Sequence, residues 1–395
     1  MNRNRFGFEI YKQCFTVPFE YPVYFTRAVF SRKNGLLASV IDRKKEKRCH
    51  RVIAYIDSGV VDANLRILPA INEYFRARTG MLELAAPPIV VPGGERVKNG
   101  WEDVKSVMKV LGDNHMCRHS FVLAVGGGSV LDMVGFATSL VHRGLRMVRI
   151  PSTVLAQNDA GIGVKNGMNE RHTKNFIGAF APPFAVIDDF ELLRTLKTKD
   201  WVGGISEAFK VAIIKDADFF SYLCRNVGRL RKRNMKVMEE TVRRCAILHL
   251  DHIRSGGDPF EMGSARPLDF GHWAGHRLEM MSDNRIGHGQ AVGIGMAVDS
   301  SYAMLKGFIT KADLRRILDG LTAVGLPVWS PLLERKTAKG VPEILAGLEQ
   351  FREHLGGILA VTLPRGIGRK CEISEMDGEI ILEAVCLLRQ YANSK

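Results

Sequence analysis

The chain has 395 residues, 46% hydrophobic and 25% charged, with 39 Gly and 15 Pro, a globular composition with room for two or three domains. Basic residues outnumber acidic ones by 56 to 42, a net charge of +14, which attracts anions: nucleic acid, acidic membrane or phosphorylated metabolites. Seven scattered cysteines without a CxxC pair, an N-terminus without a signal-type apolar core and the lack of a long apolar run exclude a disulfide framework, a zinc knuckle and a membrane span, so a reduced, cytoplasmic protein is expected.

In chain order, the first half alternates short apolar, β-rich runs with helical periods. Strands are predicted at 51–56 (RVIAYI), 88–91 (PIVV), 121–125 (FVLAV), 146–150 (RMVRI) and 184–187 (FAVI), with helices over 97–111 and 130–141 between them. Such alternation predicts an α/β unit on a mostly parallel sheet. After about residue 195, apolar residues recur at i, i+3 and i+4 in 206–214, 238–253, 287–305, 311–324 and 379–390, so the second half reads as all-α. No linker separates the halves, and a shared cleft is where a ligand would sit. Two basic runs, 43–48 (RKKEKR) and 229–236 (RLRKRNMK), have no interleaved aromatics and match no nucleic-acid motif; they read as solvated faces.

The polar residues between these elements carry the chemistry. Gly126, Gly127 and Gly128 follow one predicted strand and precede a helix, where a tight turn lets backbone approach a pyrophosphate at the helix N-terminus. Asp57 closes another strand, a place where a carboxylate accepts bonds from a ribose, and VPGGERVKNG sets Glu95 and Lys98 after a third. Segment 151–175 packs Asp159, Lys165, Asn169, Lys174 and Asn175 among small residues; it reads as a polar loop whose charged groups and amides suit a phosphorylated polyol. His272 and His276 stand at i and i+4, one turn apart on one helix face, and His288 opens the next helix. With Glu207 as a distant carboxylate they make a metal site of zinc type with an open position, although spacing alone does not say which two of the three histidines bind.

Taken together these segments resemble the 3-dehydroquinate synthase family, the sugar phosphate cyclases. The match runs in order from about Asp57 to His288 through PGGE..K, GGGSVLDMVGF, HRG, PSTVLAQ-x-D, G-x-K-x-G-x-N, KNFIGAF, EAFK, and GHWAGH followed by HG. The resemblance implies a dinucleotide-binding α/β domain over 1–194, an all-α metal and substrate domain over 195–395, and a homodimer. It implies NAD held by Asp57, Glu95, Lys98, Gly126, Gly127, Gly128, Asp132, Ser152 and Thr153. Zinc, or cobalt on similar ligands, would be held by Glu207, His272 and His288. His276 would face substrate phosphate, Asp159, Lys165, Lys174, Asn175 and Lys210 would line the sugar phosphate, and Arg143 would reach in from the partner subunit. The implied reaction is alcohol oxidation, β-elimination of phosphate, reduction and intramolecular aldol closure, with NAD restored in each turnover. Neither nucleic acid nor membrane is an expected partner.

Departures from the family pattern bear on the substrate. Dehydroquinate synthases carry Arg-x-Leu-Leu-Asn before GHxxGH and a Lys on the preceding helix, cations that grip a substrate carboxylate. Here the stretch is SARPLDFGH, with Ala265 at the Arg position, Asp269 at the Asn position, and no Lys between Lys236 and His272. Asp269 beside a carboxylate adds like-charge repulsion of about 1 kcal/mol; Arg266, one residue off, is the compensating candidate. These features, with FEYPVYFTR and LEQFREHLGG, look like the members that act on sedoheptulose 7-phosphate, the 2-epi-5-epi-valiolone synthase-like proteins of ebo-type clusters. Dehydroquinate synthase proper and a polyol or iron-type alcohol dehydrogenase are the alternatives.

Overall fold

The five apolar runs form strands, and burial explains why they are so apolar. In the computed structural model, His50–Asp57, Ile89–Val91, Phe121–Gly126, Arg146–Pro151 and Ala185–Asp189 join Val23–Thr26 and Leu82–Leu84 in one seven-stranded sheet. The structure describes residues 2–3, 9–171, 173–256, 260, 268–354, 357 and 359–394. The order runs Val23–Thr26, Ala185–Asp189, Arg146–Pro151, Phe121–Gly126, His50–Asp57, Leu82–Leu84, with Ile89–Val91 also paired to His50–Asp57. Every pairing in it is parallel, so both faces need cover. Val52, Ala54, Ile56, Leu123 and Val125 pack on one side with the helix Ile67–Arg76. Their alternates Ile53, Tyr55, Val122 and Ala124 pack on the other with Glu102–Asp113 and Gly128–Leu140.

The chain order along the sheet reverses between His50–Asp57 and Phe121–Gly126, and a crevice opens at such a switch point beyond the strand carboxyl ends. Asp57 and the glycine turn stand there.

Some expectations change in detail. The helix read over 97–111 is a 3-10 turn, Glu95–Lys98, followed by the helix Glu102–Asp113; Gly100 at φ +87 suits the break between them. Segment 151–175 is not a simple loop: it makes one π-helical turn, Ala156–Ala160, and most of an antiparallel hairpin, Lys165–Glu170 with Thr173–Phe180. The second half is helical as expected, from Thr198–Lys215 to Gly378–Asn393, and adds one antiparallel pair, Val361–Pro364 with Lys370–Ile373. No described helix is long and apolar enough to cross a membrane.

Close helix packing sets the second half. A Cβ on Gly289 would lie 2.0 Å from Gly203 O, and one on Gly295 would lie 1.9 Å from Gly271 O. The helix His288–Leu305 therefore touches Thr198–Lys215 and the start of His272–Met281 backbone to backbone. Asp299 ties the same joint, accepting from Gly271 N at 2.8 Å and Trp273 Nε1 at 2.7 Å; burial pushes its carboxyl up to about 7.

Candidate active site

A cavity of 540 Å³ lies between the sheet and the helices, lined by Asp57, Gly127, Gly128, Ser152, Thr153 and His288 among others. Gly127 starts the helix Gly128–Leu140 with no side-chain cap; Val130 N turns back to Gly127 O at 3.1 Å, and the N–H groups of Gly128 and Ser129 are the ones left to face the crevice. Asp57 braces this turn: it accepts from Gly59 N at 2.8 Å and Gly127 N at 3.3 Å, while burial raises its pKa. Gly126 lies behind the turn, where a Cβ would come within 2.9 Å of Val130.

Glu95, Lys98 and Asp132 form a neighbouring network rather than part of that lining. Lys98 Nζ pairs with Asp132 Oδ2 at 2.7 Å and with the side chain of Asn175. Glu95 accepts from Ser129 Oγ at 2.8 Å and Asn169 Nδ2 at 3.0 Å. Burial would raise the Glu95 carboxyl, but Lys174 and Lys98 outweigh it and the pKa falls.

The helices bring the histidines together. Ligand atoms of Glu207, His272 and His288 lie within 4.8 Å of one another, as do those of His276, Glu279 and His288. His272 Nδ1 is 3.2 Å from Phe270 O, and His288 Nδ1 is 3.2 Å from Glu279 Oε2. With a proton on each Nδ1, both Nε2 atoms are left as lone-pair donors, and His288 Nε2 is 4.0 Å from Glu207 Oε1. Burial, then Lys210 and the other two histidines, pushes the His272 imidazole well below its ordinary value, which keeps it in the neutral, metal-ligating form.

Glu207 pairs with Lys210; its Oε1 is buried with no hydrogen-bond partner among the described residues. Burial would lower the Lys210 pKa, yet Glu207 and Asp159 raise it. Asp159 is 3.0 Å from His249 Nδ1; burial opposes ionisation there, but Lys210 and His249 hold the carboxyl far below the usual range. Lys174 donates to Glu279 Oε1 at 2.7 Å. A continuous polar network thus runs through His249, Asp159, Lys210, Glu207, His288, Glu279, Lys174, Glu95, Lys98 and Asp132.

Asp269, half-buried, is close enough to Lys210 to raise its pKa. Lys165 is exposed at the start of the hairpin, opposite Phe180. Arg143 is exposed in the turn Val141–Arg143, a helix length, about 20 Å, from the glycine turn of its own chain. Ala265 and Arg266 lie outside the described residues. Glu279 and His249 are site residues that spacing did not single out. The basic runs are partly spent inside the fold: Arg43 lies 4.2 Å above the Phe184 ring and Arg233 5.1 Å from that of Trp201.

The 3-dehydroquinate synthase N-terminal family model matches residues 88–203, and the C-terminal one matches 204–345. The chain belongs to the 3-dehydroquinate synthase family. It is thereby an enzyme of the phosphate-eliminating cyclase kind. A curated family member, 3-dehydroquinate synthase of Shewanella sp. (strain MR-4), is 31% identical over 75% of this chain and 81% of its own length. The solved structure of 2-epi-5-epi-valiolone synthase from Streptomyces hygroscopicus subsp. jinggangensis 5008, with NAD+ and Zn2+ bound, superposes with a TM-score of 0.85 at 28% identity, covering 96% of this chain and all of that one. A 2-deoxy-scyllo-inosose synthase with carbaglucose-6-phosphate, NAD+ and Co2+ shares the fold at TM-score 0.75 and 21% identity, over 92% of this chain and 96% of its own.

Proposed function

We propose that this chain is an NAD- and zinc-dependent sugar phosphate cyclase that converts a heptulose 7-phosphate to a carbocycle with loss of phosphate, and that sedoheptulose 7-phosphate is the preferred substrate. The observation that carries it is one cavity running from the uncapped glycine turn to His288, so that a dinucleotide lying in it would reach the edge of the Glu207, His272, His288 cluster.

The residues fit both groups. Glu207 Oε1 is a buried carboxylate oxygen with no hydrogen-bond partner among the described residues, a costly arrangement unless something binds there, and two neutral imidazoles complete a zinc-type donor set. A Cβ on Gly93 would come 2.2 Å from Asp57 Oδ1, so the crevice wall beside Asp57 tolerates backbone alone. Asp57, Ser152, Thr153 and the turn Gly126, Gly127, Gly128 would hold the dinucleotide, with Glu95, Lys98 and Asp132 supporting that wall. When bound, NAD accepts and returns a hydride and zinc polarises the ring hydroxyl.

The chain's own side chains supply the rest. Lys174, Lys165, Asn175 and His276 bind and orient the phosphate, so that the leaving group departs from a fixed position. Lys210 and Asp159 hold the polyol hydroxyls through charge-assisted hydrogen bonds. The preference for a carboxylate-free sugar rests on Asp269, which adds negative charge near Lys210, and on the absence of a Lys between Lys236 and His272. We also read the chain as two domains, 1–194 and 195–395, in a homodimer to whose partner Arg143 contributes.

One observation favours a second reading: curated relatives at about this identity are named 3-dehydroquinate synthase. Arg266 would then take the place of the missing cation. Phosphate release by the metal-loaded protein with NAD separates the two. Release from sedoheptulose 7-phosphate alone is the expected result, and release only from 3-deoxy-arabino-heptulosonate 7-phosphate means a dehydroquinate synthase. Net formation of NADH without phosphate release would instead place the chain's activity with the polyol dehydrogenases.

A further inference from the structure

His249 ends this polar network, and neither the cavity lining nor the metal cluster includes it. It lies on the helix Met235–Ser255, mostly buried, with Nδ1 3.0 Å from Asp159 Oδ1. Asp159 sits in the π-helical turn Ala156–Ala160, a backbone form that concentrates at functional sites. The helix and this part of the sheet already have other ties. Cys245 Sγ lies 3.7 Å from Asn158 O, and Ala246 packs in an apolar cluster with Ile162 and Val186. An imidazole–carboxylate pair withdrawn from water costs desolvation that an apolar contact would avoid, so fastening alone does not account for it. Lys210 and His272 are close enough to act on the same carboxylate, so Asp159 links His249 to the metal cluster.

We propose that His249 is a positioning residue for the sugar phosphate: it donates from Nδ1 to Asp159 and holds that carboxylate in one orientation. The remaining lone pairs then accept from a substrate hydroxyl. A Cβ on Gly163 would lie 3.9 Å from His249 Nε2, so no side chain from that position crowds the outer edge of the ring. This inference rests on the cyclase reading above.

The test compares His249→Ala with His249→Asn, whose amide N–H takes the place of Nδ1–H, in the metal-loaded protein with NAD. In His249→Ala, KM for the heptulose phosphate should rise about tenfold to a hundredfold, the effect of one charge-assisted hydrogen bond. Zinc content and NAD affinity should stay at the wild-type level, and His249→Asn should recover most of the loss. If His249→Ala does not fold, His249→Leu, which fills the ring volume without a donor, gives the same reading. An unchanged KM with a lowered Tm makes the pair a fastening and overturns the proposal; so does loss of zinc with the imidazole. Wild-type protein that releases no phosphate from any heptulose phosphate overturns the cyclase reading and this inference together, whereas active wild type with unaffected variants overturns the inference alone.

Discussion

At the residue scale the orientation of His288 depends on Glu279. This carboxylate is 3% exposed and bridges His288 Nδ1 and Lys174 Nζ. Burial would raise its pKa, but His288 and Lys174 hold it well below the usual range. Second partners of this kind set the tautomer and basicity of a metal-ligating imidazole. Glu279→Gln should therefore lower zinc affinity about ten- to a hundredfold, read by competition with a chromophoric chelator; unchanged affinity would mean that the backbone alone orients His288. A signal for Glu279 was present in the sequence, since it stands three residues after His276 and seven after His272 and so shares their helix face. His249 had no such signal. It is one of two histidines, with His252, on a long amphipathic helix, and only the fold brings it to Asp159.

At the element scale the strand Ala185–Asp189 shows how an apolar pattern hides a charge. The run FAVI predicted the strand, and the parallel register carries it on through Asp188 and Asp189. Asp189 is well used, accepting from Ala28 N at 2.9 Å, Val29 N at 2.8 Å and Glu191 N at 3.0 Å. Asp188 is fully buried and neither carboxyl oxygen has a hydrogen-bond partner among the described residues; burial pushes its pKa well above the ordinary carboxylate value. The folded chain thus holds a proton that the unfolded chain has released once pH exceeds about 4. Stability from this group is complete below that pH and falls as pH rises through the folded-state value. Asp188→Asn removes that slope: in urea titrations its midpoint should gain on wild type progressively above about pH 4, and parallel curves would show that Asp188 ionises without penalty. The hairpin Lys165–Glu170 with Thr173–Phe180 was less legible because its strands mix glycine, asparagine and lysine with few apolar residues, so no alternation marks them.

At the scale of the whole molecule, Arg143 decides whether a site is built from one chain or two. It is exposed at the end of the helix Gly128–Leu140 away from the glycine turn, and in the proposed homodimer it completes the partner's cleft. Arg143→Ala and Lys210→Ala should each be nearly inactive alone. Mixed after gentle dissociation, they should recover about a quarter of wild-type activity, because half the dimers are then mixed and each holds one intact site. No recovery despite subunit exchange would confine Arg143 to its own chain.

Most of the architecture was determined by the sequence, because apolar runs at strand and helix periods must bury themselves and a parallel sheet follows from their alternation. The ordered motifs likewise marked the family, the glycine turn and the Glu207, His272, His288 set. Tertiary structure alone decided which charges face one another. The pairing of His249 with Asp159, the clamp of Glu279 on His288 and Lys174, and the burial of Asp188 each arise where packing brings together elements far apart in the chain. Electrostatic interaction falls off with distance through a medium whose dielectric is set by packing, and neither quantity can be read along a chain.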